Sequence, residues 1–251
     1  MSIESQKDLI ELQRVGQVVA RALAAMKKAA RPGLTTAELD AVGAEVLKRH
    51  GARSAPAIEY GFPGCACISV GDQVAHGVPG ARRLQPGDVV KLDVTAELGG
   101  YVADAAITVV LDGAAPALYA LAACARRALK AALEVARAGE PIGRVGLVVE
   151  REAKAAGFSV VRELCGHGVG RRVHEEPTIP NYFTPRAHGH FTDGLVVAIE
   201  PILAERGGGG RLQTEEDGWT LRTRDGAVAV QEEHTAVIRD GRPLVVTAAA
   251  A

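Results

Sequence analysis

No run of about 18 uninterrupted apolar residues occurs in the 251-residue chain, so the sequence offers no membrane span. Residues 1–11 are polar, with charges of both signs, and lack the basic start and apolar core of a signal peptide. A basic excess is missing too: 29 Lys and Arg stand against 30 Asp and Glu, a net charge of −1. That balance argues against a nucleic-acid footprint. The four cysteines, Cys65, Cys67, Cys124 and Cys165, form no Cys-x-x-Cys pair, so neither a zinc ribbon nor a disulfide framework is indicated. Reduced thiols in a cytosolic protein fit this usage. What remains is ordinary for a globule, 47% apolar and 24% charged, with material for one large domain or two small ones.

Apolar residues at helical spacing, Leu12, Val15, Val19, Leu23 and Met26, predict a helix over residues 9–30, ended by Pro32-Gly33. Thr35 or Thr36 can cap a second helix over 37–50, with His50 at its end and Gly51 just past it. A loop over 60–64 precedes a strand over 67–70, and residues 74–79 carry His76. The pattern then restarts. A helix is expected over 118–138 and another between Gly139 and Gly157. Gly33 and Gly51 recur as Gly139 and Gly157 at one offset, and Arg21-Ala22-Leu23 recurs as Arg127-Ala128-Leu129. Gly87-Asp-Val-Val-Lys-Leu-Asp93 aligns with Gly194-Leu-Val-Val-Ala-Ile-Glu200, so Asp93 corresponds to Glu200. A repeat of half the chain predicts a two-fold pseudosymmetric domain, with halves of about 1–113 and 114–251.

The stretch from Lys91 to Asp104 reads as a hairpin around Gly99-Gly100. A two-residue turn at Leu98-Gly99 would set Asp93 opposite Asp104. Directly opposed like charges destabilise a sheet, so a cation is expected between them. The plain alternative is two solvated aspartates on an edge hairpin. Further on come Cys165-Gly-His-Gly-Val-Gly170, His174-Glu-Glu-Pro177, Glu200-Pro201 and Gln231-Glu-Glu-His-Thr235. The glycines around His167 leave its imidazole uncrowded. Glu233 lies on the return strand of the second half, as Asp104 does in the first. Residues 202–204, 211–223 and 227–238 read as strands, with turns at Asp225-Gly226 and Asp240-Gly241. Gly207–Gly210 is expected to be a turn and lacks the ending of a phosphate loop. Residues 248–251 read as a frayed tail.

Asp93, Asp104, His167, Glu200 and Glu233 form a candidate metal cluster. Four carboxylates carry a charge of −4, which two divalent ions would neutralise, and burying them unpaired would be very costly. An oxygen-rich set with one imidazole suits Mn, Fe or Co, with Zn as an alternative.

These motifs resemble the type I methionine aminopeptidases, over nearly the whole chain. The two aspartates eleven residues apart, the Gly-His-Gly-x-Gly histidine, a second histidine seven residues on, the Glu-Pro and the Glu-His-Thr match that family in order and spacing. The resemblance implies the pita-bread α/β (α+β) fold, with pseudo-two-fold duplicated helices on a curved antiparallel sheet. It implies two divalent metal ions on the five ligands, and a metal-bound hydroxide that attacks the first peptide carbonyl. Glu200 would also assist proton transfer, His174 would hydrogen-bond the carbonyl oxygen, and His76 would contact the substrate amide nitrogen. Tyr60, Phe62, Cys67 and Trp219 would wall the methionine pocket. The loop at Tyr60–Pro63 looks shorter than is usual in the family, and Val173 stands where a larger side chain is common. The substrates implied are nascent polypeptide N-termini with a small second residue. A cytoplasmic monomer is expected, with any ribosome contact through the globular surface. Rival readings are an X-Pro aminopeptidase of the same fold, which usually carries a large N-terminal domain, and a non-catalytic peptide-binding module, which usually loses metal ligands.

Overall fold

The structure, a computed structural model, describes residues 1–205 and 211–249. The expected turn at Gly207–Gly210 and the last two residues of the tail lie outside the described residues. The chain runs through helices α1 (Gln6–Ala29), α2 (Thr36–Arg49) and α3 (Ala55–Tyr60), with strand β1 (Arg53–Ser54) before α3. Strands β2 (Cys67–Val70), β3 (Gln73–Ala75), β4 (Val89–Leu98) and β5 (Tyr101–Val110) complete the first half. The second half opens with α4 (Pro116–Val135) and α5 (Gly143–Ala155). Strands β6 (Ser159–Val160), β7 (Cys165–Gly168), β8 (Glu175–Pro180), β9 (Val196–Ile199) and β10 (Ile202–Ala204) follow. Then come β11 (Leu212–Thr214), β12 (Leu221–Thr223), β13 (Ala229–Gln231), β14 (His234–Val237) and β15 (Leu244–Val245). The strand stretches expected over 211–223 and 227–238 are each broken in two, the first at a turn where Asp217 accepts the N–H groups of Trp219 and Thr220.

α1 starts at Ser5, whose hydroxyl accepts the Asp8 N–H, and α2 starts in a capping box of Thr35 and Glu38. The apolar stripe of α1 is fully buried at Leu12, Val15, Val19 and Met26. It packs on one face of β4, that of Val90, Leu92, Val94 and Ala96. Burying each such Val or Leu is worth about 1.5–3 kcal/mol. Strand alternation then sends Lys91, Asp93 and Thr95 to the opposite face. In the second half, β9 divides its side chains between two cores: Val196 and Ala198 join that of α1, Val197 and Ile199 that of α4 and α5.

All strand pairs are antiparallel among the described residues. β4 pairs with β5 along one edge and with β1 and β2 along the other, and a second sheet runs β15-β14-β9-β7-β8. The hairpin register corrects the expectation. Leu98 pairs with Tyr101, so the turn is Gly99-Gly100, and Asp104 faces Thr95 while Asp93 faces Ala106. Both glycines have positive φ, 63° and 83°. A turn with positive φ at both central residues matches strand twist, which is why this pair takes the turn and Leu98 does not. Asp93 and Asp104 are therefore diagonal neighbours on one face, not directly opposed.

The two halves meet at a hydrogen-bonded seam. Thr235 Oγ1 accepts the Asp104 N–H at 2.8 Å and donates to its carbonyl at 2.7 Å. The Glu233 N–H donates to the Ala106 carbonyl at 2.8 Å. Thr108 Oγ1 donates to the Gln231 carbonyl and accepts its N–H.

Candidate metal centre

The seam decides what faces what. β5 brings Asp104 and β14 begins just after Glu233, while β9 ends just before Glu200 and pairs with β14 through Ile199 and His234. β7 contributes His167, paired with Ala198. β7 comes so close to its neighbours only because Gly166 and Gly168 have no side chain. A Cβ on Gly168 would strike the Glu176 carbonyl, and one on Gly166 would lie 2.5 Å from the Ala198 carbonyl.

A cavity of about 550 Å³ opens here, and all eleven residues singled out in the sequence line it. Asp104, His167 and Glu233 each offer a ligand atom, and these atoms lie within 4.8 Å of one another. His167 Nε2 is 3.6 Å from a Glu200 oxygen. His167 Nδ1 donates to the Gly168 carbonyl at 2.8 Å, which leaves Nε2 as the unprotonated nitrogen facing the carboxylates. Asp104 accepts the Thr95 hydroxyl at 2.9 Å.

Gln231 was not singled out from sequence. Its side-chain nitrogen sits 3.4 Å from Asp93, 3.5 Å from Glu200 and 3.3 Å from Glu233. Those separations are long for hydrogen bonds, and one NH₂ has two protons for three carboxylates. Among the described residues, Glu233 Oε1 is buried without a hydrogen-bond partner. Burial, and then the charges of its neighbours, push Asp93, Glu200 and Glu233 well above the usual carboxylate range. Asp104 is raised by burial, with the Thr95 hydroxyl opposing. Such a set is short of positive charge. Carboxylate oxygens with one imidazole nitrogen suit a divalent cation, so the residues present fit the metal that their pattern implies.

One imidazole belongs to this cluster and two more line the same cavity. Burial holds His167 below its usual range, and burial followed by the neighbouring imidazole does the same to His174 and His76. The His167 and His174 rings are 4.4 Å apart. His76 has φ of 56°, alone among the described non-glycine residues in being positive. That strain is held in place: the Gly77 N–H donates to Ser69 Oγ at 3.0 Å and the Val78 N–H to Thr220 Oγ1 at 3.2 Å. Phe62 and Trp219 meet edge to face at 5.3 Å, and Cys67 faces Asp93 across β2 and β4. His50 is the residue after α2, and neither it nor His188 and His190 line the cavity.

Buried carboxylates and one imidazole at the seam of a duplicated fold define a metallohydrolase site. The chain belongs to metallopeptidase family M24, whose description matches residues 11–240, and within it to the methionine aminopeptidases. It is 41% identical over 249 residues to methionine aminopeptidase 2 of Bacillus subtilis, covering 98% of this chain and 99% of that one. It is 34% identical to the methionine aminopeptidase of Clostridium perfringens, covering 98% of each. The crystal structure of methionine aminopeptidase from Thermotoga maritima superposes with a TM-score of 0.93 at 32% identity, over 98% of this chain and 99% of that one. The fold is therefore the pita-bread fold. It is shared with the prolidase of Pyrococcus horikoshii, at a TM-score of 0.78 and 21% identity, where 99% of this chain covers 64% of the other. No helix among the described residues is long and apolar enough to cross a membrane.

Proposed function

We propose that this chain is a methionyl aminopeptidase that removes the N-terminal methionine of nascent polypeptides when the second residue is small. The observation that carries the reading is the convergence of Asp93, Asp104, His167, Glu200 and Glu233 beside an apolar recess. These five residues would hold two divalent ions, drawn from Co, Mn, Fe or Zn. When bound, such ions supply Lewis acidity and lower the pKa of water. Glu200 takes the proton of the attacking water and passes it to the leaving amine. His174 donates a hydrogen bond to the carbonyl oxygen as charge develops there. His76, held in its strained backbone, meets the substrate amide nitrogen. Phe62, Cys67 and Trp219, with Tyr60 at the mouth, receive the methionine side chain, whose thioether favours soft and aromatic contacts. Residues 1–251 act as one catalytic domain of two halves, a monomer that works in the cytoplasm where nascent chains emerge.

The test is peptide hydrolysis after EDTA treatment, with Mn, Co, Fe or Zn added back. Metal-restored cleavage of Met-Ala-Ser, without cleavage of Met-Leu-Ser or Ala-Pro-Ser, is expected. Cleavage of Ala-Pro-Ser in its place would move the reading to an X-Pro aminopeptidase. No cleavage with any ion would favour a peptide-binding module.

A further inference from the structure

The phenolic oxygen of Tyr60 lies 2.9 Å from Nδ1 of His174. The two rings stand 5.8 Å apart and are tilted by 34°. The preceding residue, Glu59, accepts the Val173 N–H at 3.0 Å. Two consecutive residues of α3 therefore grip two consecutive residues of the segment that carries His174. α3 is itself fixed at both ends. Ser54 Oγ accepts the Ala57 N–H, and Gly61 closes the helix in the left-handed conformation, with φ of 73°. Among the described residues, the His174 side chain has no hydrogen bond besides that to Tyr60, so Nε2 is free for a substrate.

In a neutral imidazole, the bond made by one ring nitrogen determines what the other can do. A phenol can donate or accept, but an imidazole nitrogen is a much stronger acceptor than a phenolic oxygen, so at 2.9 Å a neutral phenol donates to Nδ1. Burial, and then the charge of the Glu59 carboxylate, push the Tyr60 pKa up, so the phenol is neutral. We propose that Tyr60 is a positioning residue: its O–H donates to Nδ1 of His174, which puts the ring proton on Nε2 and makes that atom a donor to the substrate carbonyl oxygen. The donor role of His174 rests on the aminopeptidase reading; the tautomer does not. Without the phenol the ring samples both tautomers. One of these presents a lone pair to the carbonyl oxygen and repels it.

The test is the imidazole ¹⁵N spectrum of the enzyme loaded with Zn or Mg, with the His174 signals assigned against His174→Gln. Wild type should show Nδ1 unprotonated and Nε2 protonated, and Tyr60→Phe should show an averaged pair. In Tyr60→Phe, kcat on Met-Ala-Ser should fall about 10- to 100-fold, with KM within about twofold. That is short of the loss of about 10²–10³ seen when an oxyanion donor is itself removed. A protonated Nδ1 in wild type overturns the proposal, and so does an unchanged kcat in Tyr60→Phe. The wild-type spectrum needs no variant to fold. If wild type cleaves no methionyl peptide with any ion, the aminopeptidase reading falls, while the His174 tautomer still decides the role of Tyr60.

Discussion

At the scale of single residues, the cluster is an arrangement of like charges that the protein only half compensates. Among the described residues, the Gln231 amide is the one uncharged donor shared by three of its carboxylates. Gln231→Leu removes that donor and leaves Asp93, Glu200 and Glu233 free to splay apart. Divalent-ion affinity should drop about 10- to 100-fold, the usual cost of losing a group that orients metal ligands. Titration against a competing chelator measures it, and unchanged affinity would show that the amide is incidental. Asp93→Ala should abolish metal-dependent turnover while circular dichroism stays that of the folded protein. The acidic and imidazole members of the cluster were legible in the sequence because each sits in a spaced motif with a chemical reason. Gln231 was not, because an amide before two glutamates carries no such signal. Only the fold reveals it, by setting the Gln231 amide 3.3 Å from Glu233 across the break between β13 and β14.

At the scale of elements, Asp8 shows how helix, sheet and loop are tied. It accepts hydrogen bonds from Ser5 Oγ at 2.7 Å and Tyr101 Oη at 2.7 Å, and pairs with Arg171 at 2.9 Å. The Arg171 guanidinium also lies over the Tyr101 ring. One carboxylate thus joins the start of α1, the start of β5 and the loop after His167. The Ser5 hydroxyl first, and then that of Tyr101, pull its pKa from the ordinary 3.8 to about 2. A folded pKa below the unfolded one gives stability that is full above the unfolded value and is lost as pH falls through the folded one. Asp8→Asn should therefore lower Tm at neutral pH, and the difference from wild type should close by about pH 2. A gap that persisted in acid would assign the effect to shape and not charge. The helices and most strands were readable from apolar period and caps. α3 was not, since six residues are too few to show a helical period, although Ser54 and Pro56 mark its start. The hairpin register was missed for a related reason: Leu98, Gly99 and Gly100 allow two turns, and only backbone twist chooses between them.

At the scale of the whole molecule, the duplication was legible because it repeats backbone requirements. Gly33, Gly51, Gly139 and Gly157 all have positive φ, from 70° to 89°. What no periodicity could show is the seam, where Thr108 and Thr235 join β5 to the second half and bring Asp104 beside Glu233. A seam lined with buried carboxylates gives the metal-free fold a pH dependence of known sign. Asp93, Asp104, Glu200 and Glu233 all have folded pKa values above their unfolded ones. The folded state therefore holds more protons, and the cluster costs stability as pH rises through those raised values. Metal binding has the opposite dependence, because the ligands must be deprotonated. At a free-ion concentration 100-fold above Kd, binding adds about 2.7 kcal/mol. For a chain of this size that corresponds to a Tm rise of roughly 5–11 °C. The gap between Mn-loaded and EDTA-treated protein should accordingly widen from about pH 5 to about pH 8 in a thermal melt. A gap that narrowed over that range would place the ion somewhere other than among these four carboxylates.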